Sequence, residues 1–180
     1  HFGGLSMGGF VAMRLAARRP DLVRSLILME TSAGPEPNKL NYGILNTIVR
    51  IFGVASVTQP VMKIMFGEPF LNDPNRKEER EEWIRELQKN KKSIVKAVSG
   101  VLNRAGVEAE LTNIQCPTLI LVGREDKATV PEKAEFIHSK IKGSQLHYIE
   151  NAGHTAAVEA PDQYNKLINE FLKNNTNTQN

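Results

Sequence analysis

Apolar and polar positions follow two rhythms along this chain. Three short, nearly continuous apolar runs read as buried strands: Leu22 to Met29 (LVRSLILM), Pro117 to Val122 (PTLILV) and Gln145 to Ile149 (QLHYI). The second is bounded by Pro117 and Gly123 and is too short for a helix. Helical spacing fills the gaps. Met7 to Arg18 is rich in Ala, Leu, Met and Arg and stops before Pro20, which favours an extended residue ahead of it. Glu132 to Ile141 sets Ala134, Ile137 and Ile141 on one face behind Pro131. Asp162 to Leu172 sets Tyr164, Leu167, Ile168, Phe171 and Leu172 on one stripe. Strand and helix alternate at both ends, which predicts a mostly parallel sheet with flanking helices.

From Ala33 to Leu111 only helical patterns occur. Leu40, Ile44, Leu45, Ile48 and Phe52 form one stripe, and Val61, Met62, Met65 and Phe66 a second after Pro60. Asp73-Pro74 starts a third helix that turns Trp83, Ile84 and Leu87 inward. Ile94, Val95, Val98 and Leu102 form the fourth. An all-helical stretch between strands reads as a cap. The expected division is therefore core at 1–32, helical cap at 33–111, core at 112–172 and a flexible tail at 173–180. The run Arg76 to Glu82 (RKEEREE) reads as a solvated helix face. The Asn174-Asn175-Thr176 sequon reads as a chance match in an Asn/Thr-rich tail.

Composition narrows the function classes. The 180 residues are 41% hydrophobic and 24% charged, which excludes a disordered or collagen-like chain. No apolar run approaches transmembrane length. The net charge of +3 makes no case for nucleic acid or a membrane surface. The single cysteine, Cys116, excludes an internal disulfide and a Cys-built zinc site, and fits a cytoplasmic protein. No metal or cofactor is called for.

One motif carries chemistry. Gly4-Leu5-Ser6-Met7-Gly8 matches G-x-S-x-G, with Gly9 directly behind. Such a turn from strand to helix holds its serine in a strained conformation. Glycines two residues to either side are expected to prevent collision. It leaves the Met7 N–H at a helix N-terminus, where developing negative charge is favoured. A serine hydroxyl needs a base. Of the four histidines, His1, His138 and His147 fall on strands or a helix and read as packed or surface residues. His154 follows Asn151-Ala152-Gly153, in a loop beyond a strand's carboxyl end, where sites of open α/β sheets assemble. Asp126 ends Gly123-Arg124-Glu125-Asp126 at a similar edge and can orient the histidine. Cys116 has no base beside it and reads as structural.

The chain order Ser6, Asp126, His154 differs from the chymotrypsin and subtilisin orders. The blocks GGLSMGG at 3–9, CPTLILVGREDKATVP at 116–131 and IENAGHTAAVEAPDQYNKLINEFL at 149–172 resemble an α/β-hydrolase-fold serine hydrolase. The resemblance covers residues 1 to about 172. It implies Ser6 as nucleophile, His154 as general base then acid, Asp126 as orienting acid and the Met7 N–H as one oxyanion donor. Glu30 is a rival acid, because some members place it after the preceding strand; the G-x-x-D loop favours Asp126. Glu125 is adjacent but would point elsewhere. Met62, Met65, Phe66, Phe70 and Trp83 are candidates for an acyl pocket in the cap.

The implied activity is hydrolysis of a small carboxylic ester or lactone through an acyl-enzyme on Ser6. Alternatives are a carbon–carbon bond hydrolase or cofactor-free perhydrolase with the same triad, or a slow-turnover ligand receptor on the same fold. Serine at the nucleophile position argues against haloalkane dehalogenase and epoxide hydrolase chemistry. By the same resemblance, only His1 and Phe2 remain of the nucleophile strand. Roughly 80–100 residues would precede them, including the loop that gives the second oxyanion donor. The expectation is a fragment whose open sheet edge is covered by a companion N-terminal fragment or by self-association.

Overall fold

The structure, a computed structural model, describes residues 1–176. Four parallel strands form its sheet: β1 (Phe2–Leu5), β2 (Leu26–Met29), β3 (Thr118–Gly123) and β4 (Gln145–Ile149), in spatial order β1-β2-β3-β4. Leu5 pairs with Met29, so β1 and β2 end level; Met29 pairs with Leu121, and β3 runs two residues further to end level with β4 at the Gly123–Ile149 pair. The loops carrying the candidate residues emerge from this carboxyl edge.

Alternating side chains of each strand feed two separate cores, as a period of two requires. Leu26, Leu28, Ile120 and Val122 face α1 (Met7–Arg18) and α7 (Pro131–Lys140), against Met13, Ala16 and Ile137. Ile27, Leu119 and Leu121 face α9 (Pro161–Thr176), against Tyr164 and Phe171. β3 is buried along its whole length, because it lies between two strands and under helices on both faces.

Helices α2 (Lys39–Phe52), α3 (Thr58–Met65), α4 (Glu68–Asn72), α5 (Lys77–Gln88) and α6 (Ile94–Leu102) fill the interval between β2 and β3. The helices α3, α4 and α5 share a small core of Met62, Phe66 and Phe70 with Trp83, Ile84 and Leu87. Asp73 caps the turn into α5 by accepting the Asn75 N–H at 2.8 Å.

Several boundaries differ from the sequence reading. The apolar run from Leu22 is strand only from Leu26, since Pro20 starts a tight 3₁₀ turn through Leu22 and leaves that leucine exposed. β1 runs on through Gly3, Gly4 and Leu5, which pair with β2, rather than ending at Phe2. The last helix continues past Leu172 to Thr176, because Asn175 and Thr176 bond back to the carbonyls of Phe171 and Leu172. The rest of the expected tail, 177–180, lies outside the described residues. No helix among the described residues is long and apolar enough to cross a membrane.

Candidate active site

Ser6 occupies the single residue between β1 and α1, with φ 49° and ψ −111°. A left-handed φ is costly for a residue with a Cβ, by about 1–3 kcal/mol, and persists only where the surroundings enforce it. Here the Ser6 N–H donates to the Met29 carbonyl at 2.8 Å, so β2 fixes one side. The Ser6 carbonyl accepts the Gly9 N–H at 2.9 Å and the Thr31 hydroxyl at 2.8 Å, so α1 and the loop after β2 fix the other. The turn brings backbone onto backbone: a Cβ on Gly4 would lie 2.3 Å from the Gly8 carbonyl. Gly8 itself faces open space among the described residues, so its expected role in avoiding collision does not hold here. The close contact falls instead at Gly9, where a Cβ would meet the Thr31 side chain at 2.4 Å. The Met7 N–H donates to no described residue.

Asp126 and His154 meet across two loops. His154 Nδ1 lies 2.9 Å from Asp126 Oδ2, and both side chains are buried. The carboxylate is held on every side. Its Oδ1 accepts the Ala128 and Thr129 N–H groups at 2.8 Å each, and its Oδ2 accepts the Thr129 hydroxyl at 2.7 Å. Thr129, which sequence reasoning did not single out, also lies 3.2 Å from His154 Nδ1. With Nδ1 turned to the carboxylate, Nε2 is the nitrogen left to exchange a proton with a substrate or a serine. The Ser6 hydroxyl forms no hydrogen bond with a described residue, so the serine–histidine link is left open.

The other candidates are engaged elsewhere. His1 and His138 bond the hydroxyls of Ser25 and Ser144 at 2.7 and 2.8 Å. Glu30, the rival acid, accepts the Tyr164 hydroxyl at 3.0 Å and is fully buried at the end of β2. Burial, aided by the nearby charges of Asp126 and Glu159, raises its carboxyl to about 9, so it is neutral near pH 7. Glu125 accepts the Glu68 N–H at 2.8 Å and thus points to the inserted helices. Burial raises the Cys116 thiol, which leaves it unactivated.

A cleft of about 240 Å³ opens beside Ser6, lined by Phe10, Tyr42, Ile64, Met65, Val98 and Thr129 among others. Of the five expected pocket residues, only Met65 lines it. Phe66 and Phe70 stack 4.5 Å apart in the small core with Met62 and Trp83, where mutual packing removes them from the cleft. Tyr42 was missed, because its ring reaches the cleft only through the placement of α2. Burial and the nearby carboxylates of Glu36 and Asp126 raise its phenol, which stays protonated.

Glu159 was also missed. Its carboxylate accepts the Gly153 N–H at 2.9 Å and the Gly67 N–H at 2.8 Å, and the Thr155 hydroxyl oxygen lies 3.1 Å from it. Thr155 in turn donates its N–H and hydroxyl to the Met65 carbonyl at 3.0 and 2.9 Å. The segment flanking His154 is thereby bound to the end of α3, which contributes Met65 to the cleft. No group of metal-ligating residues suited to an ion occurs among the described residues.

Known proteins share this arrangement of chain. Residues 1–167 match the sequence pattern of the alpha/beta hydrolase family. A pimeloyl-[acyl-carrier protein] methyl ester esterase from Neisseria meningitidis is 29% identical over 176 residues, covering 94% of this chain and 68% of that protein. The solved structure of a thermophilic esterase from Thermogutta terrifontis superposes with a TM-score of 0.84 at 30% identity, covering 96% of this chain and 64% of the other. The enol-lactonase from Burkholderia xenovorans shares the fold, with a TM-score of 0.82 at 23% identity over 95% of this chain and 64% of its own. The chain thus spans about two thirds of the length of these relatives.

Proposed function

Because this chain belongs to the alpha/beta hydrolase family, we propose that it acts as a serine hydrolase on a small carboxylic ester or lactone. The Asp126–His154 bond carries the reading. A buried carboxylate that turns one imidazole nitrogen inward fixes the tautomer that a general base needs, at the sheet edge from which Ser6 also emerges.

In this mechanism His154 Nε2 takes the Ser6 proton as Oγ attacks the substrate carbonyl carbon. The tetrahedral oxyanion is received by the Met7 N–H at the start of α1, where the helix dipole favours negative charge. The C–O bond to the alcohol breaks, and the histidine returns its proton to the leaving oxygen. Water, deprotonated by the same histidine, then releases the acid from Ser6. Asp126 orients the ring through Nδ1 and stabilises the imidazolium that forms. The inserted helices act as a cap that supplies the apolar side of the cleft.

The test is hydrolysis of p-nitrophenyl esters, with Ser6→Ala as control and a fluorophosphonate as probe. We expect turnover that the substitution abolishes, and a mass increase on Ser6 in the unsubstituted protein. Turnover surviving in Ser6→Ala would refute the assignment.

A further inference from the structure

Adjoining the Ser6 cleft, among the inserted helices, lies a second pocket of about 190 Å³, itself half open to solvent. It is walled by α2, α3, α6 and Val57 of the 3₁₀ turn before α3, and does not touch the sheet. Apart from the Tyr42 phenol and the Asn46 amide its lining is hydrocarbon, including Leu45 and Val61. The Asn46 amide nitrogen is already committed, to the Val95 carbonyl at 3.3 Å and the Ser99 hydroxyl at 3.1 Å. Tyr42, Ile64, Met65 and Val98 line both spaces, so the two meet across these four side chains.

We infer that this inner cavity is an acyl-tail subsite, and that the protein prefers unbranched, medium-chain acyl esters over acetyl esters. The inference rests on the hydrolase reading and names the substrate class of that site. The chemistry is one-sided. An ester carbonyl at Ser6 needs polar neighbours, whereas the space beyond Met65 offers almost none and favours hydrocarbon. A charged tail would lose its hydration there, with only the unpartnered Asn46 Oδ1 and the Tyr42 phenol to offer hydrogen bonds in return. Size sets the length. A methylene takes up about the space of a water, roughly 30 Å³, so the inner cavity holds about six carbons. Met65 stands at the junction, and its carbonyl is pinned by Thr155, which fixes where the tail passes relative to His154.

The expected gain follows from burial. Each methylene moved from water into such a space is worth about fourfold in kcat/KM at full burial, and about twofold where contact is incomplete. In an acyl series from acetyl through butyryl, hexanoyl and octanoyl to dodecanoyl p-nitrophenyl esters, kcat/KM should climb by at least tenfold to hexanoyl or octanoyl. It should then level off or fall at dodecanoyl. Val61→Phe, which fills the inner cavity from α3, should lower the octanoyl-to-acetyl ratio by about tenfold. Leu45→Phe should do the same from the α2 wall. A flat series, or an unchanged ratio in both variants with thermal melting showing them folded, overturns the inference.

Binding separates this inference from the hydrolase reading. In Ser6→Ala, hexan-1-ol titrated against the protein should shift the Met65 methyl resonance, and Val61→Phe added to Ser6→Ala should abolish that shift. Turnover surviving in Ser6→Ala removes Ser6 as the nucleophile and leaves the subsite standing. No hexan-1-ol shift at millimolar concentrations removes the subsite alone.

Discussion

Glu159 accepts the Gly67 backbone N–H at 2.8 Å, which ties α8 (Ala156–Glu159), just beyond the histidine loop, to the residue immediately before α4. Its other oxygen accepts the Gly153 N–H, one residue before His154. One carboxylate thus sets the distance between the inserted helices and the candidate base. Glutamine at this position turns an NH₂ group toward one of two N–H donors and must lose at least one bond. Charge-assisted bonds of this kind are worth about 1.5–3 kcal/mol each. We expect Glu159→Gln to cost about 1–3 kcal/mol by urea unfolding and to lower kcat about tenfold, with a smaller change in KM. An unaltered urea midpoint would show that the bridge contributes nothing to holding the two segments together.

The hydrogen bonds around Asp126 demand an acceptor at every contact. An asparagine side chain in its place would present NH₂ hydrogens to groups that are themselves donors, either Thr129 and His154 or the two loop N–H groups. The imidazole would then be driven toward the wrong tautomer. Asp126→Asn should reduce kcat by about 10³–10⁴, while melting temperature moves far less than activity. A variant within tenfold of the parent would place the orienting role elsewhere, and Glu30→Gln would be the next substitution to measure.

Glu30 makes stability depend on pH in a defined direction. Its folded carboxyl sits at about 9, above the ordinary 4.5, chiefly because it is buried. The folded state therefore keeps a proton that the unfolded chain releases. This contribution is fully present below pH 4.5 and is lost as pH rises from there through 9. Stability should fall between these limits by on the order of 1 kcal/mol per pH unit. Glu30→Gln, which keeps an acceptor for the Tyr164 hydroxyl, should flatten the slope. A Tm that is equally pH-dependent in the variant would assign the effect to another group.

The glycines of the turn should separate sharply on substitution. Gly4→Ala forces a methyl to within 2.3 Å of the Gly8 backbone, where no side chain can yield. Gly8→Ala meets nothing within 4 Å and lies in α1, where alanine is favoured over glycine by roughly 0.5–1 kcal/mol. Thermal melts should show Gly4→Ala strongly destabilised and Gly8→Ala neutral or stabilised. Equal losses at both positions would mean that the turn is crowded on both sides.

What could be read from the residues alone was local. The glycines around Ser6, the loop that ends in Asp126 and the Asn151-Ala152-Gly153 turn before His154 announce sharp turns through backbone sterics, and such sterics act over a few residues. The apolar run of β3 announces burial on both faces in the same way. Partnerships were different. Gly67 and Glu159 are 92 residues apart, and Tyr164 meets Glu30 across 134. A carboxylate's sequence neighbours carry no sign of which distant N–H it will accept. The expected acyl residues show the same limit. Met62, Met65, Phe66, Phe70 and Trp83 are alike in hydrophobicity, and spacing put them on inward faces. Only the packing of α3 against α4 and α5 decided that four of them would fill a core and that Met65, at the helix end, would line the Ser6 cleft. The sequence by itself determined the turns, the strands and the types of group the site contains. The tertiary structure alone decided which groups touch, because contact depends on how whole elements pack.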